Sequence, residues 1–118
     1  MKRTLLKSKI HRAVVTEADL DYEGSLKVDE DLLAAAGMIP FERVDIYNIA
    51  NGERFSTYLI KGEKGSGLVS VNGAAAHKAK PGDHIIITTY VQLEEDEIEF
   101  FMPRVVLVEA KNRVSEVR

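Results

Sequence analysis

Arg43-Val44-Asp45-Ile46-Tyr47-Asn48-Ile49-Ala50 and Glu53-Arg54-Phe55-Ser56-Thr57-Tyr58-Leu59-Ile60 stand on either side of the dipeptide Asn51-Gly52. Both flanks are rich in β-branched and aromatic side chains, which suit a pleated, half-buried strand. Asn-Gly tolerates the positive φ angles of a type I′ turn better than other pairs, so the segment predicts a β-hairpin. That hairpin sets the character of the chain, and the neighbouring segments continue it.

Upstream, Ile10 to Thr16 reads as a further strand, and Glu17 to Gly24 carries the polar and glycine signals of a turn. A short helix follows. Asp29 is placed to cap it, Glu30 and Asp31 suit the positive end of its dipole, Leu32, Leu33 and Ala36 form an apolar side, and Gly37 is a stop. Downstream, Lys61 to Gly67 reads as a loop, Leu68 to Val71 as a short strand, and Pro81-Gly82-Asp83 as a turn. His84 to Leu93 and Arg104 to Glu109 read as two more strands, and the acidic stretch Glu94 to Glu99 between them has room for one helical turn. The expectation is a single domain over residues 1–118, mainly β, a small β-barrel with one or two short helices. Closing the sheet removes exposed edges, which is why a barrel is preferred to an open sheet.

Composition narrows the function classes. Sixteen Lys and Arg against nineteen Asp and Glu give a net charge of -3, with no basic block to displace counterions from a phosphate backbone, so nucleic acid is not an expected partner. Without cysteine there are no disulfides, no thiolate nucleophile and no cysteine-ligated zinc site. The N-terminal residues Met1 to Lys9 lack the apolar stretch of a secretion signal, and no apolar run approaches the ~20 residues that span a bilayer. A cytoplasmic protein with no membrane role is the expectation. His11, His77 and His84 are too scattered to suggest a metal site, and no phosphate-binding glycine loop is present.

Four motifs remain: Lys9-Ile10-His11-Arg12, Tyr22-Glu23-Gly24-Ser25, the run from Asn51 to Tyr58, and Val71-Asn72-Gly73-Ala74-Ala75-Ala76-His77. Each alone is an ordinary turn or strand. In this order and at this spacing they resemble the pyruvoyl-dependent aspartate 1-decarboxylases, over the stretch from about Lys2 to Val108.

The resemblance implies a double-psi β-barrel, a homotetramer with active sites between subunits, and a precursor that cuts itself between Gly24 and Ser25. The products would be a β chain of residues 1–24 and an α chain of residues 25–118, the latter headed by a pyruvoyl group derived from Ser25. The implied reaction converts L-aspartate to β-alanine and carbon dioxide and so supplies pantothenate and coenzyme A synthesis. A maturation helper protein is a further possible partner. The alternative is a barrel that stays uncleaved and acts as a non-enzymatic binding module.

The chemistry fits these residue types. Removing an α-carboxylate leaves an electron pair that no protein side chain can absorb, whereas a ketone conjugated to an amide can accept it after forming a Schiff base with the substrate amine. Serine supplies both the nucleophile and the leaving group needed to make that ketone, and Gly24 has no Cβ to obstruct the attack and can occupy strained backbone conformations. By resemblance, Thr57 positions the Gly24 carbonyl and later touches substrate, and Tyr58 donates a proton to the substrate α-carbon. Arg54 is the expected bidentate clamp for a carboxylate, with an exposed ion pair as its plainer reading, and Lys9 is a second carboxylate-binding candidate. Asn72, Gly73, Ala74 and Ala75 match the substrate-binding loop. One difficulty stands: on a regular strand Arg54, Ser56 and Tyr58 share a face and Thr57 points to the other. The roles of Thr57 and Tyr58 then require two sites, a bulge or a subunit boundary.

Overall fold

The computed structural model describes residues 1–118. In chain order the strands are β1 (Lys2–Val14), β2 (Glu17–Asp19) and β3 (Ser25–Asp29), followed by helix α1 (Glu30–Ala36). Then come β4 (Arg43–Asn48), β5 (Arg54–Gly62), β6 (Val69–Asn72), a 3₁₀ turn (Gly73–His77) and β7 (His84–Glu94). Helix α2 (Glu95–Ile98), β8 (Arg104–Glu109), a second 3₁₀ turn (Ala110–Asn112) and β9 (Arg113–Val117) complete the chain.

The strands hydrogen-bond in the order β2-β6-β3-β5-β4-β7-β1-β8-β9. Because β2 follows β1 after two residues and pairs with β6, the bent β1–β2 segment joins the two ends of the β6-β3-β5-β4-β7 array. Thr16 reinforces this closure, its backbone N–H donating to Val69 O at 2.8 Å and its hydroxyl to the same carbonyl at 3.0 Å. The result is a small β-barrel with parallel β3–β5, β2–β6 and β1–β8 ladders among antiparallel ones. Its interior is filled by Ile10, Leu26, Val44, Ile46, Leu59, Ile85 and Ile87, all fully buried. Side chains of this kind each contribute about 1.5–3 kcal/mol through burial. No helix is long and apolar enough to cross a membrane.

Helix α1 starts and stops as its sequence predicts. Asp29 Oδ1 accepts from Asp31 N at 2.8 Å, Gly37 adopts the left-handed conformation that ends the helix, and Leu32, Leu33 and Ala36 face the core. Asp29 also accepts from the backbone N–H groups of Gly65 and Gly67, so one carboxylate ties the helix start to the loop after β5.

The β4–β5 hairpin forms, but not through a type I′ turn. Asn48 N donates to Glu53 O at 2.9 Å, leaving a four-residue loop from Ile49 to Gly52, in which only Gly52 has positive φ. The side-chain oxygens of Asn48 and Asn51 accept from Ala50 N and Glu53 N, so local side-chain hydrogen bonds replace the tight turn. The segment from Glu17 to Gly24 is likewise not all turn, because pairing with β6 draws Glu17–Asp19 into a strand. Strand β1 starts at Lys2 and β5 runs on to Gly62, both extended by partners distant in sequence.

Candidate functional site

Ser25 opens β3 and pairs directly with Asn72, the last residue of β6. Both are buried, at 1% and 3% exposure. Leu26 and Val28 fill the core, so strand alternation turns Ser25 to the opposite face, and Val69 and Val71 turn Ser70 and Asn72 the same way. The Asn72 amide Nδ2 donates to Ser25 Oγ at 3.2 Å, and Ser25 Oγ donates to Glu23 O at 3.3 Å. The oxygen of residue 25 is thus held from both sides, beside the peptide bond that joins it to Gly24.

Gly73 bends the chain immediately after Asn72. Its φ of +70° disfavours a side chain, and a Cβ there would lie 2.7 Å from Gly24 Cα and 3.2 Å from Tyr22 O. The turn preceding Ser25 therefore packs against bare backbone. Gly24 itself is different from the expectation: its φ is not in the left-handed region, and a Cβ on it would meet nothing within 4 Å. Neither strain nor space demands glycine at 24 in the intact chain. Of the following residues, Ala74 is exposed and Ala75 is half-buried against the core.

On β5, Arg54, Ser56 and Tyr58 are exposed while Phe55, Thr57 and Leu59 turn inward to differing depths. The ladder to β4 runs without a bulge from Arg54 to Tyr58, so a bulge does not reconcile the roles expected of Thr57 and Tyr58. The parallel ladder between β3 and β5 begins at Leu26↔Leu59, which puts Ser25 and Tyr58 at neighbouring positions one step before it. Tyr58 is 39% exposed and its hydroxyl has no protein partner, and the Thr57 hydroxyl likewise bonds to neither Gly24 nor Ser25.

Arg54 makes no ion pair. Its guanidinium lies 4.7 Å from the centre of the Tyr47 ring, its cross-strand partner, and Tyr47 in turn shares a 2.7 Å hydrogen bond with the Tyr90 hydroxyl. That bond, aided by burial, raises the Tyr47 pKa. A stacked guanidinium keeps its edge donors available for a carboxylate. Lys9 lies on β1 opposite Thr88 and makes no side-chain hydrogen bond or ion pair. His11 is next on the same face; partial burial, with Lys9 and Arg12 nearby, lowers its pKa.

The chain alone does not bring all the expected residues together. Arg54 and Tyr58 share a face but stand four residues apart, roughly 13 Å at about 3.3 Å per residue. The concave patch at Arg54 is lined by Arg43, Asp45, Tyr47, Phe55 and Ser56 and excludes Ser25. Ser70, Tyr47 and Tyr90 escaped the sequence reading. The spacing of Ser70 and Asn72, two apart on a strand, was the signal available for the first, whereas the tyrosine pair depends on register.

A profile of the family described as aspartate decarboxylase matches residues 1–115. A protein from Ralstonia nicotianae named aspartate 1-decarboxylase is 53% identical over 118 residues, covering all of this chain and 98% of its own. One of the same name from Bordetella avium is 57% identical, covering all of this chain and 97% of its own. Another, from Thioalkalivibrio sulfidiphilus, is 58% identical over 114 residues, 97% of this chain and 90% of its own. With whole-chain matches of this depth, the chain belongs to the aspartate decarboxylase family.

Proposed function

We propose that the chain cuts itself between Gly24 and Ser25 and then decarboxylates L-aspartate to β-alanine, the amine used in pantothenate and coenzyme A synthesis. The observation that carries this reading is the buried Ser25 hydroxyl, held by Asn72 at a turn packed bare against Gly73, in a chain of this family.

Cleavage begins when Ser25 Oγ attacks the Gly24 carbonyl carbon. The Oγ–C bond forms, the Gly24–Ser25 C–N bond breaks, and the hydroxyl proton ends on the freed amine of residue 25. Loss of the Ser25 α-proton then expels the Gly24 carboxylate through Cβ–Oγ scission and leaves dehydroalanine. Tautomerisation, addition of water and loss of ammonia produce the pyruvoyl end. The Nδ2–H of Asn72 serves the second bond change, in which Oγ becomes part of the departing carboxylate. A pyruvoyl group at position 25 fits the residues present, because Asn72 offers its oxygen a donor.

Once formed, that group supplies a covalent electron sink for the substrate. Tyr58, beside position 25 with its hydroxyl free, delivers a proton to the substrate α-carbon after carbon dioxide leaves. Arg54 binds a substrate carboxylate, and Lys9 adds a second positive charge. Arg54 stands four residues along β5 from Tyr58 with its guanidinium on Tyr47, so the clamp at position 25 comes from a neighbouring copy in a homotetramer. Thr57, on the other face of β5, positions the Gly24 carbonyl, and the Asn72-Gly73-Ala74-Ala75 segment borders the substrate. A maturation helper protein acts, where required, on the uncleaved chain in the cytoplasm.

Denaturing mass spectrometry of the purified protein after warming tests the reading. Two fragments, 1–24 and a blocked 25–118, are expected from the wild type, and neither fragments nor β-alanine from Ser25→Ala. A wild-type chain that stays intact would return the barrel to the class of uncleaved binding modules.

A further inference from the structure

Ser70 is a polar residue with no evident surface role, at 3% exposure and fixed on the same face of β6 as Asn72. Its hydroxyl donates to Asn72 Oδ1 at 2.9 Å, and this bond is itself buried. Its cross-strand neighbours are Lys27 on β3 and Glu17 on β2, and Ser70 Oγ has no other hydrogen-bond partner.

A carboxamide has an acceptor end and a donor end of nearly the same shape, so position alone does not decide which faces Ser25. The two hydroxyls together do: Ser25 Oγ gives its proton to Glu23 O and can only accept from the amide, and Ser70 donates at the other end. With Oδ1 occupied by a donor, Nδ2 turns toward Ser25 and reaches its Oγ at 3.2 Å. The reversed amide would set an oxygen against the lone pairs of Ser25 Oγ, whose proton goes to Glu23 O, and oppose the negative charge that Oγ carries as part of the departing carboxylate. Lone-pair repulsion would then act against the departure of Oγ as carboxylate, the step that separates the two fragments.

We propose that Ser70 is a positioning residue for self-cleavage, holding the Asn72 amide with its nitrogen toward Ser25. The inference rests on the self-cleavage reading above. Ser70 touches none of the reacting atoms and acts only through Asn72, which separates its role from a general contribution to packing.

The test follows the conversion of freshly purified full-length precursor by intact mass at fixed temperature, for wild type, Ser70→Ala, Ser70→Thr, Asn72→Ala and the double variant Ser70→Ala/Asn72→Ala. Ser70→Ala is expected to slow cleavage by about tenfold, the rate equivalent of one net hydrogen bond. Ser70→Thr keeps the hydroxyl and should recover most of the rate. In the Asn72→Ala background, Ser70→Ala should add no further slowing, because the group it orients is gone. An equal slowing in both backgrounds would overturn the proposal by showing that Ser70 acts through something else. Wild-type rates in Ser70→Ala would also overturn it, while leaving self-cleavage intact; a wild type that never cleaves would instead remove the reading beneath it. If Ser70→Ala does not fold, Ser70→Cys, similar in size and a weak donor, takes its place with a slowed rate expected and an unchanged one contradicting the proposal.

Discussion

A methyl group on Gly73 would stand 2.7 Å from the α-carbon of Gly24. The loop after β6 and the turn before β3 are therefore fitted backbone to backbone, and the fit aligns Asn72 with Ser25. Gly73→Ala must push the turn away while holding a φ of +70°, a backbone strain of about 1–3 kcal/mol. Cleavage should fall sharply, and the thermal midpoint with it. Gly24→Ala meets no neighbour and should fold as the wild type does, with only its cleavage slowed by crowding at the carbonyl. Comparable melting losses in the two variants would contradict the packing argument.

Tyr58→Phe separates the two reactions. Its hydroxyl bonds to no protein group, so its removal should leave folding and self-cleavage intact. Turnover of aspartate should drop by about 10²- to 10⁴-fold, as expected for a lost general acid. Borohydride trapping with aspartate should still label residue 25. Wild-type turnover would assign the proton to another donor, and loss of cleavage would place Tyr58 in maturation.

Arg54→Ala should retain assembly and cleavage but raise the Michaelis constant, because a carboxylate loses charge-assisted hydrogen bonds worth roughly 1.5–3 kcal/mol each. Arg54→Lys should rescue it incompletely, since an ammonium can neither fork to a carboxylate nor stack on Tyr47 as a plane. Steady-state kinetics decide this, and an unchanged Michaelis constant in Arg54→Ala would take Arg54 out of the site.

Sharing between copies can be read from mixed assemblies. Light scattering should give a tetramer. Co-expressed Ser25→Ala chains, inactive alone, and Arg54→Ala chains, weakly active at low aspartate, should recover wild-type affinity at about a quarter of the sites if Arg54 serves a neighbour in a closed ring. No recovery in demonstrated mixed tetramers would mean that Arg54 acts within its own chain.

Acid stability tests the anchor at the far end of the hairpin. Asp83 is buried and accepts from Asn48 Nδ2 at 2.9 Å and from Lys80 N at 3.0 Å, bonds that hold its pKa below the ordinary 3.8. The folded carboxyl thus protonates after the unfolded one, so its stabilisation is complete above about pH 4 and is lost as pH falls through the folded value. Asp83→Asn should cost about 1.5–3 kcal/mol at pH 7, the scale of hydrogen bonds to a charged group, and the difference from wild type should shrink below pH 4. Urea midpoints at pH 7, 5 and 3 measure it; a pH-independent gap would refute the assignment.

Read alone, the chain located most elements and one chemistry. Asp29 and Gly37 marked the helix because caps answer to donors and φ angles within a few residues. The strands of the β4–β5 hairpin were legible for the same local reason, and the Gly24-Ser25 bond stood out only through the order and spacing of four motifs. Tertiary pairing decided the rest. Glu17–Asp19 is a strand only because β6 lies alongside, the hairpin loop widened because Asn48 and Asn51 satisfy its donors, and Arg54 lies on Tyr47 instead of in an ion pair because register puts them opposite. The same register, joining residues 25, 70 and 72 across two strands, turned a common Gly-Ser pair into a serine held by an oriented amide. A hydrogen bond between residues 47 positions apart depends on how strands meet, and local sequence carries no record of that meeting.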